Sequence, residues 1–110
     1  MWKQLIISTC ILSLAACGTP SPRVASELQQ GKRLFEDGYY KRSLQELLPL
    51  ACDGNAEAQY AVGYMYYYGY GVPQDTDVGY FWIKRSADQH FLPAEKALSM
   101  MGKNTKNGRL

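Results

Sequence analysis

The chain is poor in the residues that build active sites. Its 110 residues contain one histidine, His90, and three cysteines. No Cys or second His stands at ligand spacing from His90, so no transition-metal site is expected. Carboxylates are scattered instead of grouped, so no metal or other cofactor is called for. No serine sits in a nucleophile motif. Twelve basic side chains meet ten acidic ones, a net charge of +2 that falls to +1 once Lys3 leaves with the leader. This balance lacks the basic stripe of a nucleic-acid binder. Apolar runs are short as well. The longest, Leu5 to Leu14, falls well below the roughly 20 residues of a transmembrane helix. Hydrophobic residues still make up 46% of the chain, which is globular composition and excludes disorder as the general answer.

That apolar run follows Lys3 and gives way to Ala15, Ala16 and Cys17, the layout of a secretory signal over residues 1–16. Leu14-Ala15-Ala16-Cys17 resembles a bacterial lipobox, in which the cysteine thiol takes the lipid and the chain is cut before it. The covalent lipid on Cys17, palmitate among its chains, would anchor the protein stably, because several acyl chains act together. The next residue is Gly18 and not Asp. In such lipoproteins this implies sorting to the outer membrane, facing the periplasm. Cys10 is then discarded and Cys17 lipidated, which leaves Cys52 as a lone thiol with no intramolecular disulfide. Its expected state is burial; a reactive or intermolecular role is the alternative.

Residues 17–25 read as a tether of on the order of 16 Å, since Gly18 to Ser26 holds two Pro, two Ser and a Thr. Residues 26–102 read as a helical domain, and 103–110, with Lys103, Lys106 and Arg109, as a flexible tail. Val24, Leu28, Gly31 and Phe35 share a helical face that Asp37-Gly38 ends. Tyr40, Leu44, Leu47, Leu48 and Ala51 define a second helix, with Pro49 late in it. A third runs from Ala56 to Tyr68, and a fourth from Thr76 to Gln89 behind the N-cap Asp75. Asp75 and Asp77 read as capping residues. A fifth spans Pro93 to Met101, with Gly102 as its stop. Helices of this length joined by short Gly-containing turns are αα-hairpins. Leu50-Ala51 answers Ser86-Ala87, and Ala58-Gln59 answers Ala94-Glu95, each at a spacing of 36 residues. The fold is therefore all-α, a short αα-hairpin solenoid of about five helices.

Ala58-Gln59-Tyr60, Gly63, Met65-Tyr66, Gly69, Gly71-Val72, Asp75, Trp82 and Ala87 resemble the Sel-one-like repeat, a relative of the tetratricopeptide repeat. Gly38-Tyr39-Tyr40 and Pro49-Leu50-Ala51 resemble the start and end of a preceding helix pair. The resemblance implies structural roles for Gly63, Tyr66, Gly69, Gly71, Trp82 and Ala87. Gly63 would admit a close helix crossing, Gly69 and Gly71 a tight turn, and Trp82 would fill the space between helices. Two positions depart from the family: Gly79 stands where Ala is usual, and His90 where Gly is usual. The paired cysteines of some secreted members are absent, so their link to cell-wall hydrolysis is not carried over.

The resemblance implies a non-enzymatic scaffold that holds a protein partner in the cell envelope. An assembly or pilotin-like factor is the first alternative, and a cell-wall-active enzyme the second. Self-association would cover the ends of so short an array. The aromatic residues add detail: nine of them fall between Tyr60 and Trp82. Tyr60 and Tyr66 read as core. Tyr64, Tyr67, Tyr68 and Tyr70 cannot all enter one hairpin core. They read either as a surface for a protein partner or glycan, or as contacts with neighbouring helices.

Overall fold

The computed structural model describes residues 21–107, with side chains to residue 102. Five helices follow one another: α1 (Pro22–Glu36), α2 (Tyr40–Cys52), α3 (Ala56–Tyr68), α4 (Thr76–Ala87) and α5 (Leu92–Asn107). Among the described residues there is no strand. The main packing runs between consecutive helices, as in a solenoid of helical hairpins. The all-α repeat expected from the sequence is the fold observed.

Local chemistry sets the helix starts. The Ser21 hydroxyl accepts the Val24 N–H, and Pro22 occupies the first turn, where its missing donor costs nothing. α1 therefore begins inside the stretch read as tether, and residues 22–25 are helical. Asn55 caps α3 by accepting from Ala58 at 2.8 Å. Asp75 caps α4 by accepting from Asp77 and Val78, as its position suggested.

Three turns share one hydrogen-bond pattern. Gly38 donates to Phe35 and Tyr39 to Leu34. Gly54 donates to Ala51 and Asn55 to Leu50. His90 donates to Ala87 and Phe91 to Ser86. Such a C-cap places one residue in the left-handed region, normally glycine. Gly38 and Gly54 have φ of 84° and 101°; His90 has 62°. A side chain there costs roughly 1–2 kcal/mol. The His90–Glu95 contact at 3.3 Å, with the imidazole 90% exposed, returns little of it. His90→Gly is expected to stabilise the domain by about 1 kcal/mol. Thermal unfolding followed by circular dichroism should show Tm rising by about 4–8 °C.

α5 runs past Gly102 to Asn107, so the stop expected at Gly102 is not used. A glycine ends a helix only where it turns left-handed, and Gly102 stays helical. The backbone of residues 103–107, read as tail, continues the helix. α4 ends at Ala87, two residues short of expectation. α2 continues through Pro49 to Cys52.

The core is built where α2 meets α3. Leu44, Leu47, Leu50, Ala51, Ala58, Val62 and Met65 form one buried cluster, and Val24, Leu28 and Phe35 of α1 lean on it. A smaller cluster of Ile83, Ala87 and Ala94 joins α4 to α5. Buried polar groups are all paired among the described residues. The Ser43 hydroxyl donates to Gly31 O at 2.7 Å and that of Ser86 to Ala56 O at 2.6 Å. The Gln59 amide donates to Ala51 O, and Gln89 donates to both Gln59 Oε1 and Gly54 O. These bonds tie the two hairpins together at their shared turn. Cys52 is exposed, against the burial expected of it. Leu47, Leu50 and Ala51 take the inward positions of α2, which leaves its last residue facing out.

Candidate functional site

α3 is apolar or aromatic on nearly every side because it is used on three. Ala58, Val62 and Met65 enter the core. Gly63 meets α4: a Cβ there would lie 2.6 Å from Ile83 Cγ1, 2.8 Å from Gly79 O and 2.9 Å from Ile83 N. Tyr60, Ala61 and Tyr64 face a groove. A helix with this composition cannot stand free in water and is stable only where its neighbours cover it.

The groove has a volume of about 430 Å³ and is lined by four helices and the turn before the last of them. α1 contributes Lys32, Phe35 and Glu36. α2 supplies Leu47 as floor. α3 contributes Glu57, Tyr60, Ala61 and Tyr64, the turn after α4 contributes Phe91, and the start of α5 contributes Pro93. Four rings run across it without a break. Phe91 lies 5.7 Å from Tyr60, Tyr60 lies 6.4 Å from Tyr64, and Tyr64 lies 6.1 Å from Phe35. These are the separations at which aromatic rings attract one another. Across the groove, Lys32 Nζ donates to Glu57 Oε1 at 2.6 Å and so links α1 to α3. The hydrogen bond from Glu57, and then its charge, raise the Lys32 pKa. Both side chains remain about two-fifths exposed, so the pair adds only about 0–1 kcal/mol. Burial, followed by the neighbouring phenols Tyr70 and Tyr68, raises the pKa of Tyr64.

The four tyrosines singled out in the sequence part company. Tyr64 lines the groove. Tyr70 is half-buried behind it: it lies parallel to Tyr64 at 5.9 Å and packs on Tyr40 at 4.9 Å and Phe35 at 5.6 Å. Tyr68 is 54% exposed beside Tyr64. Tyr67 lies against Gly79, where a Cβ would come within 2.7 Å of the Tyr67 backbone and Cβ. Tyr60, read as core, lines the groove while touching the smaller core cluster. Tyr66 packs on the main core. Phe35, Ala61 and Phe91 are groove residues that the sequence did not single out as such.

Gly69 and Gly71 have φ of 77° and 75°. A Cβ on Gly71 would also come within 2.7–2.9 Å of Tyr40 and Lys41, so the turn sits directly on the start of α2. Trp82 packs half-buried against the main core, and Arg85 lies 5.6 Å from the centres of both the Trp82 and Phe81 rings. Ala87 is buried in the smaller cluster. Cys17 and residues 1–16, read as a signal peptide, lie outside the described residues. Among the described residues no group of three or more His, Cys, Asp or Glu is placed to hold a metal. Nor is any helix there long and apolar enough to cross a membrane.

The close α3–α4 crossing, the Gly69–Gly71 turn and the capped α4 together span one repeat unit. Residues 56–91 match the Sel1 repeat. This is the Sel-one-like pattern read in the sequence, bounded by the start of α3 and the end of the turn after α4. Over 56 residues, 51% of this chain, the sequence is 43% identical to chitin synthase regulatory factor 3 of Schizosaccharomyces pombe (strain 972 / ATCC 24843). The matched stretch spans 6% of that protein's length. No solved structure matches the chain significantly.

Proposed function

We propose that the protein is a non-catalytic interaction scaffold, held at the bacterial outer membrane by lipid on Cys17, whose groove holds a protein partner. The aromatic wall Phe91–Tyr60–Tyr64–Phe35 carries this reading. A folded chain gains nothing by leaving four adjoining rings beside an open groove, whereas a partner covering them gains large, stiff contact area at small entropic cost. The Sel1 match supports a scaffold, since helical repeats build extended concave binding surfaces. The fungal relative is by name a regulatory factor, which agrees with a role exerted through contact.

The test is site-specific crosslinking in intact cells. A photo-reactive amino acid replaces Tyr64, and a second variant carries it at the exposed Lys96 outside the groove. Position 64 is expected to yield a discrete adduct identified by mass spectrometry, and position 96 none. Equal labelling at both, or no adduct at 64, would sink the scaffold reading. In the same cells Cys17→Ser is expected to abolish palmitate labelling and release the protein from the membrane fraction. Retention of both would dismiss the anchor.

A further inference from the structure

The groove is apolar in its walls but not neutral at its rim. Three charged residues line it: Lys32, Glu36 and Glu57. Lys32 is spent on Glu57 through the 2.6 Å hydrogen bond. Glu36 makes no hydrogen bond or ion pair among the described residues, though its charge is close enough to be felt at Lys32. The charged rim therefore sums to one net negative charge, with Glu36 free of hydrogen bonds among the described residues, beside a row of aromatic rings tilted or edge-on to one another. Both features attract a cation, and both work best for a flat one. A ring face attracts positive charge through its quadrupole. A guanidinium adds stacking on the ring and a two-pronged hydrogen bond to a carboxylate, neither of which an ammonium group supplies. The same chemistry already operates on α4, where Arg85 lies over Phe81 and Trp82.

Resting on the reading of the groove as a protein-binding surface, we infer that it selects an arginine side chain of the partner polypeptide. The guanidinium lies on the Tyr60–Tyr64 faces and its outer edge donates to Glu36. The apolar stem covers Ala61 and Phe35. Glu57 stays with Lys32, which keeps the nearest cation from repelling the incoming charge. An anionic or neutral segment has no partner for Glu36 and buries that carboxylate at a cost.

The probe is the peptide acetyl-Ser-Gly-Arg-Gly-Ser-amide, with the same peptide carrying citrulline in place of arginine. Citrulline keeps the shape and removes the charge. Each is titrated into the full chain in neutral detergent, with the ring protons of Tyr60 and Tyr64 followed by NMR. The arginine peptide is expected to saturate the shifts at about tenfold lower concentration. Glu36→Gln, at an exposed position that should not disturb folding, is expected to bring the arginine peptide close to the citrulline one. Equal saturation by the two peptides, or no shift with either, overturns the inference. A crosslink at position 64 in cells alongside equal saturation keeps the interaction surface and discards its choice of arginine. Arginine preference without any adduct at 64 keeps the subsite and discards the scaffold.

Discussion

Gly63→Ala is expected to destabilise the domain by about 2 kcal/mol, although alanine is the better helix former by about 1 kcal/mol. The added methyl would lie 2.6–2.9 Å from Ile83 Cγ1, Gly79 O and Ile83 N. Two of those three atoms are backbone, so no side-chain rotation clears the space, and α3 and α4 must separate. Separation opens the reciprocal contact too, where a Cβ on Gly79 would lie 2.7 Å from Tyr67 Cβ and N. Gly63→Val adds two more methyl groups with no gain in propensity, and its cost should exceed 3 kcal/mol. A domain of this size holds a margin of about 4–13 kcal/mol in total. Urea unfolding should place both midpoints below the parent, valine lowest. Gly102→Ala supplies the opposite sign. Among the described residues a Cβ on Gly102 meets nothing within 4 Å, so the change in helix propensity dominates, and a gain of about 0.5–1 kcal/mol is expected. A stabilised Gly63→Ala would mean that the helices do not cross this closely.

Gly79 follows the same logic and shows how far sequence reading could go. On propensity alone it weakens α4 relative to the alanine usual in the family. In the structure it is one half of the crossing, and the deviation from the family pattern matches the bulk of Tyr67 opposite. Helix positions were legible because turns are written in local chemistry: Gly38, Gly54 and Gly69 end helices, and Asn55 and Asp75 begin them. The groove was not legible, for two physical reasons. α3 is apolar or aromatic on nearly every side, so periodicity marks no face as the outer one, and Tyr60 reads as core. The turn after α1 is short (residues 37–39), whereas the turn after α3 is long (residues 69–75), which shifts the spacing between the first two repeats. Gly31 meets Leu47 as Gly63 meets Ile83, an equivalence at 32 residues in the first helices and 36 in the second. The Lys32–Glu57 pair and the Tyr64–Phe35 contact span that shift, and no local pattern announces them.

Leu47→Ala should cost about 2–4 kcal/mol, and its partner site says why the loss is partly recoverable. Leu47 is 1% exposed, belongs to the main core and floors the groove. Removing its branched end forfeits transfer energy and leaves a void, which puts such changes in the range of 2–5 kcal/mol. The value should fall below the top of that range because the groove side can relax. The lost atoms are those that press on Gly31: a Cβ there would lie 2.6 Å from both Leu47 Cγ and Cδ2. Gly31→Ala alone is therefore expected to destabilise by about 1–2 kcal/mol. With alanine at 47 that clash is gone, the new methyl fills part of the void, and the helix gains about 1 kcal/mol at position 31. The double variant should be more stable than Leu47→Ala by about 1 kcal/mol, a coupling opposite in sign to the single effect of Gly31→Ala. Denaturant midpoints for the four proteins give the cycle directly. Additive losses would show that α1 and α2 do not meet through this pair, and the groove floor would then have to be built from other residues.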